Sequence, residues 1–291
     1  MSPWILARRN LRIFFRNRSN VFFSLLSPLI LIGLYVLFLG ALQVSNLQSR
    51  FPNATNAEVQ AFVDAWVFAG ITMITTLTTG LAALGVFVDD SASGRFKDFL
   101  VSPIRRSSII FGYMISSFTV AVIMTAVVVA LSQLYRVVRG TALMSSSELL
   151  VTAGYVVVSA AAFSALSAFV VTFLRSNSAF SATSTIVGTI IGFLAGAYIP
   201  IGTFPSGVVN VLSVLPFAQS AMLIRQPFTA SEVDALTGGQ SQAVSAINQF
   251  YGISLSVADF SVTDAVALAA LALLVVVFVL LSAHRLGRRI R

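Results

Sequence analysis

The chain offers few residues with which to do chemistry. It has no cysteine, one histidine (His284) and one lysine (Lys97). The lack of cysteine removes disulfides, zinc–thiolate sites and thiol nucleophiles together. Lys97 follows Phe96 rather than a glycine, so it cannot close the Gly-Lys-Ser/Thr turn that cradles nucleotide phosphates. His284 lies in a basic flank, where an interfacial role suits it better than that of a ligand or proton relay. No group of Asp, Glu and His has metal-ligand spacing, and no nucleophile–base pair assembles from a single histidine. Neither a catalytic residue nor a metal or cofactor of its own is expected.

What remains is charge, and it is concentrated. Asp89, Asp90, Arg95, Lys97, Asp98, Arg105 and Arg106 stand between two apolar runs in a chain that is only 10% charged. An ionised side chain at the centre of a membrane helix costs roughly 2.5–3.5 kcal/mol, so this island is expected to face water. Phe96, Phe99, Leu100 and Ile104 recur within it at helical spacing and predict a short amphipathic helix. Ser91 or Ser93 is the expected N-cap, and Pro103 should end or bend the helix. Such a helix suits docking to another protein or packing on lipid headgroups, and the pattern leaves both open.

The elements that position this island are apolar. The 291 residues are 57% hydrophobic and include 24 Phe, whereas a soluble domain carries about 25% charged residues. Spans of about 20 residues are predicted at roughly 21–42, 66–88, 108–132, 150–173, 181–199 and 263–283. The fold expected for residues 1–291 is therefore an all-α polytopic membrane domain of six spans. The first apolar run is read as a retained span, since no small-residue cleavage site follows it.

An even number of spans puts both termini on one side. Arg8, Arg9, Arg12, Arg16 and Arg18 precede the first span, the island supplies four more basic residues, and Arg285, Arg288, Arg289 and Arg291 close the chain. Only Arg50, Arg136, Arg139 and Arg225 fall on the other side, so the positive-inside rule places both termini in the cytoplasm of a cell membrane. It also accounts for the net charge of +8 without a nucleic-acid partner. Residues 3–20 set arginines on one helical face and Trp4, Leu11, Phe14 and Phe15 on the other, the pattern of an interfacial helix against anionic membrane lipids.

Five further patterns lie within the spans and the outer segment. Thr72, Thr75, Thr76 and Thr79 share one face of the second span, either as helix packing or as a weakly polar substrate path. Gly188, Gly192 and Gly196 repeat every four residues in the fifth span and mark close helix packing, within the chain or against a second subunit. Ser27-Pro28 predicts a kink in the first span. Residues 200–225 are apolar but broken by Pro205 and Pro216, and they predict two short re-entrant helices. Residues 226–262 are expected to form a long, polar outer loop.

Two stretches carry a family resemblance. One is the order of an acidic pair, Gly94, Asp98-Phe99-Leu100, Ser102-Pro103, Arg105-Arg106 and Gly112. The other is Gly196-Ala-Tyr198-Ile-Pro200, then Phe204-Pro205, then Leu215-Pro216, then a helix ending in Arg225. Together they resemble the permease subunits of ABC-2 type transporters, although glutamate is commoner than aspartate at the family's acidic positions. The resemblance implies that residues 89–107 carry a coupling helix seated on an ABC ATPase, with Asp90, Gly94, Phe96, Asp98, Phe99, Leu100, Pro103, Arg105 and Arg106 as docking residues. It implies an outer lid at Tyr198, Pro200, Phe204, Pro205 and Pro216, and subunit packing through the first and fifth spans. ATP and Mg would be bound by the partner ATPase, and a second permease copy or paralogue would complete the pathway. The implied function is export of a hydrophobic or amphipathic drug, lipid or glycolipid-like molecule.

Two other classes compete. A secondary transporter or channel would usually bury coupling acids mid-membrane, and every Asp and Glu here falls in a loop or at a span end. A membrane scaffold would leave the proline-broken outer segment without a purpose.

Overall fold

The computed structural model describes residues 3–96 and 106–289. Helix α1 (Pro3–Arg16) stops at Asn17, whose extended backbone and side chain, accepting from the Asn20 amide, cap the next helix. That helix, α2 (Arg18–Leu34), runs on through a π-helical stretch, Tyr35–Leu39, into α3 (Gly40–Arg50). The helix runs through Pro28, and its hydrogen bonding changes at Tyr35, where the π stretch begins. Gly40 closes that stretch, where a β-carbon would lie 2.7 Å from the Tyr35 carbonyl oxygen.

The second span is α4 (Asn56–Ala83) continued by α5 (Gly85–Ala92). A reciprocal Thr55–Glu58 capping box starts α4, and a Ser145–Glu148 box starts α7 (Ser146–Val171). Between them lies α6 (Arg106–Arg139), and α8 (Asn177–Leu194) follows. Gly196, at φ +60°, turns the chain after α8. A single 3-10 turn, Ile201–Thr203, leads to α9 (Ser206–Val214) and α10 (Pro216–Thr237), which meet at 85°. Two helices broken at Pro216 are thus present, as expected.

Residues 226–262 differ from the expected loop. α10 continues through Pro227 to Thr237, and α11 (Ser241–Phe250) follows. An antiparallel hairpin, β1 (Leu255–Val257) with β2 (Phe260–Val262), pairs Leu255 with Val262 and leads to α12 (Asp264–Arg289). Buried Leu236, Ile247, Tyr251 and Ile253 join this cap to the main core. Apolar residues spaced through a polar stretch are what fold it.

Among the described residues six helices are long and apolar enough to cross a membrane, so the chain is an all-α, multi-pass membrane protein. α4 is the central post, with Phe62, Trp66, Ile71, Met73 and Ile74 all but excluded from solvent. α6, α7 and α10 surround it. α2 and α8 instead leave Phe23, Ile30, Leu34, Ile186 and Ile190 exposed along one flank. The two ends of the bundle are called here the basic end, where α1 lies, and the cap end, where α9 to β2 lie.

Candidate functional site

At the basic end Asp90, near the end of α5, is wholly buried. Arg9 on α1 grips it with two bonds, Nη1 to Oδ2 at 2.6 Å and Nη2 to Oδ1 at 3.0 Å. Tyr113 on α6 donates its hydroxyl to Oδ2 at 2.5 Å, and Arg95 donates Nη1 to Oδ1 at 3.2 Å. Bidentate guanidinium and hydroxyl donors offset the loss of water around the carboxylate, which is how a charge expected in water comes to be buried. The hydrogen bond to Asp90 also holds the Arg9 guanidinium above the usual arginine pKa.

Packing fixes the node in place. Leu6, Asn10 and Phe14 turn one face of α1 inward, and at Gly112 a β-carbon would come within 2.8 Å of the Leu6 β-carbon. α1 therefore lies directly on α6, more than the interfacial helix that its pattern predicts. Phe87, Phe96 and Tyr113 meet edge to face, with centroids 5.1–6.3 Å apart. Three separate elements thus converge on one carboxylate at the base of residues 97–105.

The predicted docking residues divide accordingly. Gly94, at φ +77°, makes the turn after α5. Phe96, expected on the docking face, is half-buried against Phe87 and Tyr113, because the chain's own core takes its ring. Ser93 does not start a helix; it ends α5 and donates its hydroxyl to the Asp89 carbonyl at 2.7 Å. Asp98, Phe99, Leu100, Pro103 and Arg105 lie outside the described residues, and Arg106 opens α6.

The four threonines sit within the helix packing. Thr72, Thr75, Thr76 and Thr79 are completely buried, and each hydroxyl donates to a carbonyl three or four residues back at 2.6–2.7 Å. The packing alternative describes them, because α4 is the post that other helices surround. The glycines also separate. Gly192 receives the Tyr198 ring, where a β-carbon would fall 2.1 Å from it, and Gly196 is the helix stop. Only Gly188 of the three meets nothing within 4 Å of a β-carbon and stays open to a neighbour.

Gly188 borders a groove between α2 and α8. Its upper part, about 670 Å³, is lined by Ile30, Leu34, Ser184, Thr185, Thr189 and Tyr198 among others. A second cavity of about 390 Å³ continues it toward the basic end, sharing Phe23 and Ser184 and ending at Asp89 and Asn177. The hydroxyl-bearing face that does border open space therefore belongs to α8. Its Ser181, Ser184, Thr185 and Thr189 were legible as a polar stripe at spacings of three and four.

The cap end carries its own buried charge. Arg225 on α10 donates Nη2 to the carbonyls of Ala195 (3.0 Å) and Gly196 (2.7 Å) and Nη1 to that of Gly252 (3.3 Å). Its guanidinium carbon sits 5.3 Å from the centre of the Trp66 ring. Tyr35, first residue of the π stretch, donates to the next two carbonyls, Ala197 (3.2 Å) and Tyr198 (3.0 Å). Four successive carbonyls after α8 are thus held by two side chains. The predicted lid residues frame this clamp. Tyr198 lies on Gly192, Pro200 starts the 3-10 turn that Phe204 ends, Pro205 precedes α9, and Pro216 begins α10. Arg136 pairs with Glu232 at 2.5 Å nearby.

The sequence pattern that defines the ABC-2 type transporter family matches residues 2–228. The matched region includes α1, the Asp90 node, the α2–α8 groove and Arg225. No curated protein matches the chain in sequence.

Proposed function

Because the chain belongs to the ABC-2 type transporter family, we propose that it is the permease half of an ATP-driven exporter whose ATP and Mg are bound by a separate ATPase subunit. The basic end lies in the cytoplasm, in keeping with the arginine asymmetry. The ATPase seats on residues 97–105, and two permeases, identical or paralogous, face one another across their α2–α8 flanks. Each groove then becomes half of an enclosed path for an amphipathic substrate, and the cap closes its outer end. Movement imposed on residues 97–105 reaches the bundle through Asp90, which joins Arg95 to α1 and α6.

The observation that carries this proposal is the Asp90 node. A buried carboxylate tied to three elements, a few residues before position 97 in the chain, is a means of moving those elements together. The test is to purify the chain from its native membrane in mild detergent beside a Phe99→Ser/Leu100→Ser variant. A P-loop ATPase bound to the native chain and lost from the variant is the expected result. An ATPase retained by both moves the docking surface elsewhere. Transport driven by an ion gradient in reconstituted vesicles without nucleotide overturns the proposal.

A further inference from the structure

We propose that the basic end of the α2–α8 groove is a headgroup site for an amphipathic cation, with the Asp89 carboxylate as its counter-ion. This rests on the groove being the substrate path. Asp89 and Asp90 are adjacent on one helix, and about 100° of helical rotation separates their side chains. Asp90 turns inward to three donors. Asp89 is exposed, its carboxylate makes no hydrogen bond or ion pair among the described residues, and it lines the 390 Å³ cavity.

Among the described residues it is the only charged one lining that cavity. Arg9, Arg12, Arg16 and Arg18 border a different cleft, together with Ile13 and Asn17. Three aromatic rings join Asp89 in the walls. Phe180 lies over the bare backbone of Gly85, where a β-carbon would come 3.1 Å from the ring. Phe14 is buried in the floor, and Phe23 is 63% exposed at the junction with the upper groove. A carboxylate among aromatic faces attracts a cation by charge and by the ring quadrupoles, and it repels an anion. Asn20 and Asn177 add polar groups for a substituted headgroup. The upper groove, walled by Ile30, Leu31 and Leu34, takes the hydrocarbon part.

The test uses the full chain in nanodiscs of uncharged phosphatidylcholine and two probes with one fluorophore and one chain length, dodecyltrimethylammonium and dodecyl sulfate. The ammonium probe should bind at least about tenfold tighter than the sulfate. Asp89→Asn should lower ammonium affinity about tenfold and leave the sulfate unchanged, while Asp89→Glu keeps the preference. An unchanged unfolding midpoint for Asp89→Asn separates this from a folding defect. Equal binding of the two probes, or unaltered ammonium binding in Asp89→Asn, overturns the headgroup site. The path itself is tested separately by Gly188→Trp, which fills open space in the upper groove and should block ATP-driven transport of the ammonium probe by the complex with its ATPase. Native transport by Gly188→Trp with Asp89-dependent binding intact refutes the path and leaves the headgroup site.

Discussion

Two buried charges in this protein are held by opposite means. Asp90, at the basic end, is an acid whose donors come from α1, α6 and the turn after α5, and two of the three are arginines that still reach solvent, one-third and more than half exposed. Arg225, at the cap end, is a cation with no acid partner among the described residues; backbone carbonyls and an indole face surround it. When a bond to Asp90 opens, water or a partner's side chain can replace it. Nothing comparable is at hand for the carbonyls around Arg225. The same chemical need, solvating a charge inside a membrane protein, therefore yields a joint that can be worked at one end and an anchor at the other. The proposed drive from the basic end would require that division.

The largest effect should come from the anchor. Arg225→Met leaves three carbonyls without donors and removes the stack on Trp66, and it should cost about 3 kcal/mol or more, since each orphaned buried group costs about 1–3 kcal/mol. The unfolding midpoint in detergent measures it. Arg225→Lys should recover only part of the loss, because a point-like ammonium cannot span carbonyls that a planar fork reaches. A lysine variant of native stability would mean that charge alone holds the cap, and the contrast with Asp90 would fail.

Asp90→Asn comes next. It keeps the shape, but it strips the partner from Arg9 and turns a strong acceptor into a weak one. About 2 kcal/mol is expected, below the range for a fully sealed pair because Arg9 is one-third exposed. A double-mutant cycle with Arg9→Gln should return a coupling of about 1–3 kcal/mol. Transport per ATP hydrolysed should fall further than stability does, the signature of a joint rather than a strut. Tyr113→Phe removes one donor to the charged carboxylate and should cost about 1.5 kcal/mol.

Much of this contrast was hidden in the sequence, for definable reasons. The spans, the break at Pro216 and the two capping boxes are local patterns, and each was legible from spacing within a few residues. The interfacial helix was half-legible: its polar and apolar faces were plain, but the strip of Leu6, Asn10 and Phe14 that packs on α6 contains an asparagine and reads as neither. The Asp90 node was not legible, since Arg9 and Tyr113 lie 81 and 23 residues away from it. Charge alone argued for water, and only tertiary placement supplies the donors. The threonines of α4 left two readings open for a related reason. Their spacing defines a face, but which helix becomes the central post depends on how all six pack. The α8 stripe from Ser181 to Thr189 has the same kind of spacing and faces open space.

The smallest effect belongs to Arg95, and it bears most directly on the division between joint and anchor. Its bond to Asp90 is long, 3.2 Å, and its side chain is 57% exposed, so Arg95→Ala should shift stability by no more than about 0.5 kcal/mol. Yet Arg95 follows the Gly94 turn and stands two residues before position 97 in the chain, where the stretch proposed to carry an ATPase begins. If Arg95→Ala leaves the unfolding midpoint unchanged and still lowers transport per ATP, the exposed limb of the node carries the signal, while Arg9 and Tyr113 hold the carboxylate ready. If it lowers stability as much as Arg9→Gln does, the three donors are equivalent. Asp90 is then as fixed as Arg225, and the moving joint must be sought elsewhere.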